Sequence, residues 1–191
     1  KLFHKGLNIT DMISIEKSVS SKDRIDFNKP YKCIEVEYGA SNHVLPKLKW
    51  DKKCIVWLDY ETELKSYMLD DINTCCGTLK SGSVLIITLR RELGQKNKEE
   101  FKEEFGEYSI FELTNEDLEV SKSSSTIRKM FINTINDKLT NLNAAHKSSE
   151  KRLTFKPIFN FNYRDDAKMY TFGGIFVYEN EVDNLSNYNF N

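Results

Sequence analysis

Two near-continuous apolar runs constrain this chain more than any other feature. They are 54–60 (Cys54-Ile55-Val56-Trp57-Leu58-Asp59-Tyr60) and 83–89 (Ser83-Val84-Leu85-Ile86-Ile87-Thr88-Leu89). Runs this short and this apolar fit central parallel strands buried on both faces. Between them Leu64, Tyr67, Met68, Ile72, Cys75 and Leu79 recur at three- and four-residue steps. That spacing predicts an amphipathic helix over 61–79, with Glu61 and Glu63 in its first turn, where acids favour the helix dipole. A strand, a helix and a second strand in this order imply a parallel sheet joined by a right-handed crossover.

The rest of the chain extends the pattern. Residues 9–17 predict a strand ending near Glu16, and 31–38 a second strand stopped by Gly39. The polar stretch 18–30 closes on Asn28-Lys29-Pro30 and reads as a loop. The charged segment 90–108 predicts a solvated helix with its flanks, and 109–113 a short strand or turn. Ser123-Ser124-Ser125 offers an N-cap for an amphipathic helix over 125–142. Residues 152–163 and 168–178 predict an antiparallel hairpin turning at Arg164-Asp165-Asp166. The expected organisation is one α/β domain over 1–180, with a mostly parallel sheet, helices on both faces and a C-terminal antiparallel hairpin. An Asn-rich, loose tail follows at 181–191.

Composition excludes several function classes. Lys and Arg total 28 against 29 Asp and Glu, so no global basic field favours nucleic acid. No basic stripe interleaves with aromatics either. No apolar run approaches the roughly 20 residues that span a bilayer, so no membrane association is expected. Cys33, Cys54, Cys75 and Cys76 lack C-x-x-C spacing, which argues against zinc and against a disulfide framework. A reducing, cytoplasmic setting is expected. His4, His43 and His146 are scattered, with no relay or metal-ligand spacing. The chain opens at Lys1 with no secretory signal, and is expected to be a processed product or part of a longer one.

In an open parallel sheet, ligands bind beyond the carboxyl ends of the strands. Glu16, Gly39 and Asp59 all fall at such ends. Glu16 is either a ligand-binding carboxylate or a surface acid. Asp59 follows a strongly apolar strand, so its carboxylate is solvated, paired, functional or a helix N-cap. Tyr60 and Trp57 pack or line a pocket. Asn28 reads as a turn residue before Pro30. Arg90 and Arg91 are solvated charges or receivers of an anionic substrate. Cys75-Cys76 reads as core packing.

These residues resemble the class I S-adenosylmethionine-dependent methyltransferases, which have a Rossmann-like fold. Ile13-Ser14-Ile15-Glu16 is similar to the family's second strand, Val56-Trp57-Leu58-Asp59-Tyr60 to its fourth, and 152–178 to its closing hairpin. The stretch from Arg24 to Tyr60, with Phe27-Asn28-Lys29-Pro30-Tyr31 and Trp50, is also similar to uncharacterised bacterial methyltransferase-like proteins. The resemblance implies S-adenosylmethionine as cofactor. Glu16 would hold the ribose hydroxyls and Gly39-Ala40-Ser41 would flank adenine. Asp59 and Tyr60 would border the reacting centre as catalytic residues, with no metal. The pattern departs from the family in lacking a first strand and glycine-rich loop before Ile9, which a longer chain or a protein partner would supply. Ala40-Ser41 also replaces the acid often found after the third strand. Asp59-Tyr60 lacks the two prolines of enzymes that methylate base amino groups. The methyl acceptor is left open. The alternative is a non-catalytic Rossmann-like binding module, a subunit of a larger bacterial system.

Overall fold

The structure is a computed structural model that describes residues 2–93, 97–110, 112–164 and 166–185. The chain divides into two compact units, Lys1–Lys49 and Trp50–Asn191.

The first unit contains α1 (Leu2–Leu7), β1 (Met12–Glu16), α2 (Lys22–Asn28), β2 (Ile34–Tyr38) and α3 (Ser41–Val44). β1 and β2 form a two-stranded parallel sheet, in register from Met12 opposite Ile34 to Glu16 opposite Tyr38. Both strands are shorter than their sequence runs. The segment expected as a loop over 18–30 holds α2 instead. None of its residues is buried, and Phe27 is 89% exposed. A helix without an apolar stripe leaves no periodic trace in the sequence. The Asn28 amide donates to the Arg24 carbonyl at 2.8 Å, so Asn28 closes the helix from within, where a turn residue before Pro30 was expected.

The second unit carries β3 (Ile55–Glu63), α4 (Ser66–Thr78), β4 (Val84–Arg90), α5 (Lys98–Phe105), α6 (Ser123–Asn143), β5 (Leu153–Arg164), β6 (Lys168–Tyr178) and α7 (Val182–Leu185). Its four-stranded sheet has the order β3-β4-β6-β5. β3 and β4 are parallel, while β6 runs antiparallel to both β4 and β5. The expected class therefore holds: an α/β chain whose early strands pair in parallel and whose C-terminal strands form an antiparallel hairpin. The hairpin bounds match the sequence reading within a residue, although Asp165 at its turn lies outside the described residues.

Alternation along the strands decides the core. Leu58, Leu85, Ile87, Leu89, Tyr170, Phe172, Phe176 and Phe155 are buried. Phe155 and Phe172 pack at 5.9 Å between ring centroids, and Phe172 packs against Phe131 of α6 at 6.0 Å. α4 and α6 pack on each other. Their buried stripes are Met68, Leu69, Ile72, Cys75 and Cys76, and Ile127, Met130, Phe131, Ile135 and Leu139. Each large side chain buried this way contributes about 1.5–3 kcal/mol of transfer free energy. Gly174 of β6 belongs to this packing, because a Cβ there would collide with the Phe155 ring and the Lys156 carbonyl.

Several sequence expectations are corrected. β3 is an edge strand of its sheet rather than a central one, with Ile55 37% and Trp57 50% exposed. It continues to Glu63, so Glu61 and Glu63 lie in a strand, and α4 begins only at Ser66. The charged segment after Arg90 yields α5, which is not purely solvated. Phe101 and Phe105 are buried, and Asn97 with Glu100 forms a capping box at its start. Of the two alternatives for 109–113 the turn holds: the Leu113 N–H donates to the Ile110 carbonyl at 3.2 Å, and no strand forms there among the described residues. α6 starts at Ser123, two residues earlier than expected, and its N-cap position is Lys122 rather than a serine. Residues 181–185, read as part of a loose tail, close a 3-10 turn (Glu179–Glu181) and form α7; the Ser81 hydroxyl donates to the Glu181 carboxylate at 2.5 Å.

Candidate functional site

The first unit assembles four of the expected residues at one place. Parallel pairing puts the carboxyl ends of β1 and β2 side by side, and the Gly39 N–H donates to the Glu16 carbonyl at 3.0 Å. Gly39 has φ +150°, a conformation L side chains rarely adopt, and a Cβ there would lie 3.1 Å from the Val44 Cγ2. Glycine is required for the sharp exit from β2. That exit turns the chain at Ala40, whose carbonyl accepts from the His43 and Val44 N–H groups to start α3 at Ser41. On the β1 side, the Ser14 hydroxyl donates to Glu16 Oε1 at 3.0 Å, steadying the carboxylate. A carboxylate retains further acceptor sites after one such bond. Beside it, the Tyr38 hydroxyl donates to Asp26 Oδ1 at 2.9 Å. Loss of hydration and then the Asp26 carboxylate push that phenol up to about 12. Glu16, Gly39, Ala40 and Ser41 thus line one sheet edge with an acid, an open backbone and small side chains. That chemistry fits a ribose diol and a flat base; among these four the fit concerns the nucleoside part of a cofactor only.

The second unit places Asp59 and Tyr60 differently from the expectation. The β3–β4 ladder is regular from Ile55 to Asp59, then shifts so that Glu63 next faces Arg90. Asp59 is therefore the last regularly paired residue before an irregular stretch, the kind of position where strands re-aim side chains. Its side chain is exposed and shares a sheet face with Trp57 and Thr88. The Trp57 indole N–H donates to Thr88 Oγ1 at 3.1 Å, and Thr88 and Thr171 hydroxyls are 2.9 Å apart. Partial loss of hydration, then the Glu61 carboxylate, hold the Asp59 carboxyl above its ordinary range. The helix N-cap alternative for Asp59 falls away, because the N-cap of α4 is Lys65.

Tyr60 points to the opposite face. Its hydroxyl donates to Asp71 Oδ2 at 2.7 Å, and Asp71 is 0% exposed. Tyr67 packs edge-on against its ring at 5.9 Å. Burial first, then the Asp71 carboxylate, push the Tyr60 phenol far upward. The structure does not bring the Tyr60 hydroxyl to Asp59; it commits that hydroxyl to the core beneath α4. Sequence reading missed Asp71, yet a signal existed. Asp71 falls on the apolar stripe of its helix, between Met68 and Cys75, where an acid needs a partner. A second bond network lies on the outer side of α4. There the Tyr108 hydroxyl donates to Asp70 Oδ1 and accepts from Asn73 Nδ2, both at 2.7 Å.

The remaining candidates resolve into structural roles. Cys75 and Cys76 are buried, and burial pushes the Cys76 thiol up to about 12, so both are inert core groups. All four cysteines are free. The Arg91 N–H continues the ladder by donating to the Lys168 carbonyl at 3.0 Å, and Arg90 ends β4 exposed. Among the described residues no cluster of three His, Cys, Asp or Glu has metal-binding geometry, and no helix is long and apolar enough to cross a membrane.

Comparison with known protein families decides the identity. A family model described as "Putative O-methyltransferase" matches residues 1–191. The chain belongs to that family. Its methyltransferase-like character rests on this match along the whole length. A search of the curated proteins finds no match. Among solved structures, the chain is similar to the Methanococcus jannaschii fibrillarin pre-rRNA processing protein, with a TM-score of 0.48 and 14% identity. That similarity covers 86% of this chain and 55% of the other, so the chain spans about half the length of that protein.

Proposed function

We propose that this O-methyltransferase family member is an S-adenosylmethionine-dependent enzyme acting on a hydroxyl group of an unidentified acceptor. The observation that carries the reading is the family match over the whole chain, together with the expected nucleoside-binding residues gathered at the carboxyl ends of β1 and β2. Bound S-adenosylmethionine would supply a methyl group made electrophilic by its sulfonium. Glu16 would accept hydrogen bonds from the ribose hydroxyls, with Ser14 fixing its orientation. Gly39, Ala40 and Ser41 would let the adenine approach the backbone.

Asp59 is assigned as the general base. It would take the proton from the acceptor hydroxyl as the oxygen–methyl bond forms. A carboxyl held above its ordinary range suits that role, since its ionised form is a better proton acceptor than an ordinary carboxylate. Tyr60 is assigned a positioning role: its bond to Asp71 braces the strand one residue beyond Asp59. Free cysteines fit the reducing, cytoplasmic setting expected from the sequence.

Titration calorimetry of the full chain with S-adenosylmethionine and S-adenosylhomocysteine tests the reading. Binding to the wild type, weakened at least tenfold by Glu16→Ala, supports it. A folded wild type that binds neither compound sinks it and favours the non-catalytic module.

A further inference from the structure

The four-stranded sheet has a face opposite to the one on which its helices pack. α4 and α6 lie on the helix side, where Asp71 meets Tyr60 and Phe131 meets Phe172. The pairing registers set out the opposite face in rows. Trp57, Ile86, Gly173 and Phe159 form one row, and Asp59, Thr88, Thr171 and Phe161 the next. Arg90, Met169 and Tyr163 follow. Asp59 therefore shares its row with a phenylalanine three strand spacings away. Phe161 is 58% and Tyr163 46% exposed, so the far end of the face is an open aromatic surface.

The rings on β5 are set in place. A Cβ at Gly173 would lie 2.5 Å from Phe159 Cζ, so that ring reaches inward across β6, where glycine leaves room for it. The Phe161 ring is parallel to that of Phe159 within 13°, with centroids 5.3 Å apart, and so leans the same way, toward Thr171. The middle of the row is already satisfied. The Thr88 and Thr171 hydroxyls lie 2.9 Å apart, and Thr88 also accepts from the Trp57 indole. The row thus runs from an exposed π face at one end to a carboxylate at the other. Adjacent strands lie about 4.8 Å apart, which separates Asp59 from Phe161 by about 14 Å along the row. A ring leaning inward by about one strand spacing leaves roughly 9–10 Å. A hydrogen bond to the carboxylate covers about 2.7 Å of that. One stacked ring does not bridge the remainder; two fused rings do.

We propose that this face seats a planar, fused-ring phenol as the methyl acceptor, one ring stacked on Phe161 and the hydroxyl on Asp59. The assignment rests on the methyltransferase reading above and narrows its hydroxyl to an aryl one. An offset-stacked ring on an exposed phenylalanine makes π contacts that a saturated ring does not. Acid–base chemistry points the same way. A phenol ionises at a pKa of about 10, as tyrosine does, far closer to a carboxylate than an aliphatic alcohol is. The phenol oxygen bonds to the methyl carbon as its proton passes to Asp59. The sulfur–methyl bond breaks with its electron pair on sulfur, S-adenosylhomocysteine leaves, and Asp59 returns the proton to water. Phe161 touches no reacting atom and acts as a specificity residue.

Fluorescence titration of the full chain with 2-naphthol, in the absence of cofactor, tests the proposal. Saturable binding is expected, weakened about tenfold by Phe161→Ala and kept within about twofold by Phe161→Tyr, which retains the π face. Phe161 is exposed, so both variants should keep the wild-type circular dichroism spectrum. Decahydro-2-naphthol has the same ring skeleton and hydroxyl but no π face, and should compete about tenfold less well. In turnover with S-adenosylmethionine, Phe161→Ala should raise KM for 2-naphthol and leave kcat near the wild-type value. Its S-adenosylmethionine affinity should match wild type, so failure here is separable from failure of the methyltransferase reading. Absent or unsaturable 2-naphthol binding, in a chain that binds S-adenosylmethionine, overturns the proposal. So does equal competition by the saturated alcohol, or unchanged 2-naphthol binding in Phe161→Ala. A wild-type dimer that dissociates in Phe161→Ala overturns it too, because a second copy then covers the face.

Discussion

The two units solve the same problem with unequal means. Each contains a pair of parallel strands with a carboxylate near its end, Glu16 in one and Asp59 in the other. In the four-stranded sheet, β4 presents four buried residues, Leu85, Ile87, Thr88 and Leu89; α6 packs on the sheet through Phe131 against Phe172, and α4 packs on α6. In the two-stranded sheet no strand residue is buried, and Val44 and Leu45 are the buried apolar residues of the unit among those described. An isolated two-stranded sheet is marginal without packing support. The lesson is a division of labour: the expected ligand groups sit on the thinly supported unit, while the second unit carries the stability. Sites drawn from low-stability regions are common where ligands bring order.

The widest gap between the units should appear on truncating cores. Phe131→Ala removes a fully buried ring packed on Phe172 and should cost about 3–5 kcal/mol in denaturant unfolding. Ile13→Ala in β1, where the side chain is 45% exposed, should cost well under about 1 kcal/mol. Equal costs would erase the contrast. Next in size is Tyr60→Phe. It leaves the fully buried Asp71 carboxylate without its 2.7 Å donor, and a loss of about 3 kcal/mol is expected. Urea melts of Tyr60→Phe beside Tyr60→Phe/Asp71→Asn would sharpen the point, because the double variant should recover part of the loss. A single variant as stable as wild type would remove Tyr60 from the framework and reopen a part for it at the reacting centre.

A third test moves to the thin unit. Gly39→Ala forces a side chain into φ +150° and against Val44, for about 1–2 kcal/mol of strain. Hydrogen exchange should localise the damage to β1, β2 and α3, with S-adenosylmethionine affinity falling in parallel. Protection lost across α4 and α6 instead would show that the units are not separable in stability.

The same contrast explains what the sequence made legible. The helices α4 and α6 and both hairpin strands are readable because a helix or strand packed on one face leaves a periodic record. α2 leaves none, since Lys22–Asn28 buries nothing. Of the candidate site, the strand-end positions of Glu16 and Gly39 are legible because an acid or a glycine after an apolar run marks an edge, and pairing makes the two neighbours. The end of β3 was not legible. Asp59-Tyr60-Glu61-Thr62-Glu63 sets four polar residues around one tyrosine, which fits a solvent-facing strand as well as a helical first turn, and only pairing with β4 decides between them. Tyr60, expected from the resemblance to border the reacting centre with Asp59, faces the other way from it because neighbours in a strand alternate. The residue that mattered to it, Asp71, lies eleven positions on.

The smallest effect is a shift in pH dependence, and it bears on whether Asp59 works as a base. Loss of hydration and the Glu61 carboxylate both raise its pKa. A base must be ionised, so the acid limb of the methylation rate should lie above the ordinary carboxylate range and fall away as pH drops through it. Glu61→Gln removes one of the two causes and leaves the other, so the limb should move to lower pH without vanishing. Asp59→Asn should abolish the limb along with most of the rate while leaving S-adenosylmethionine affinity unchanged, because cofactor contacts are assigned to the other unit. An acid limb that stays in place in Glu61→Gln would assign the titration to a different group, and the carboxylate of β3 would then be a solvated edge charge, leaving the better-packed unit with a scaffold role alone.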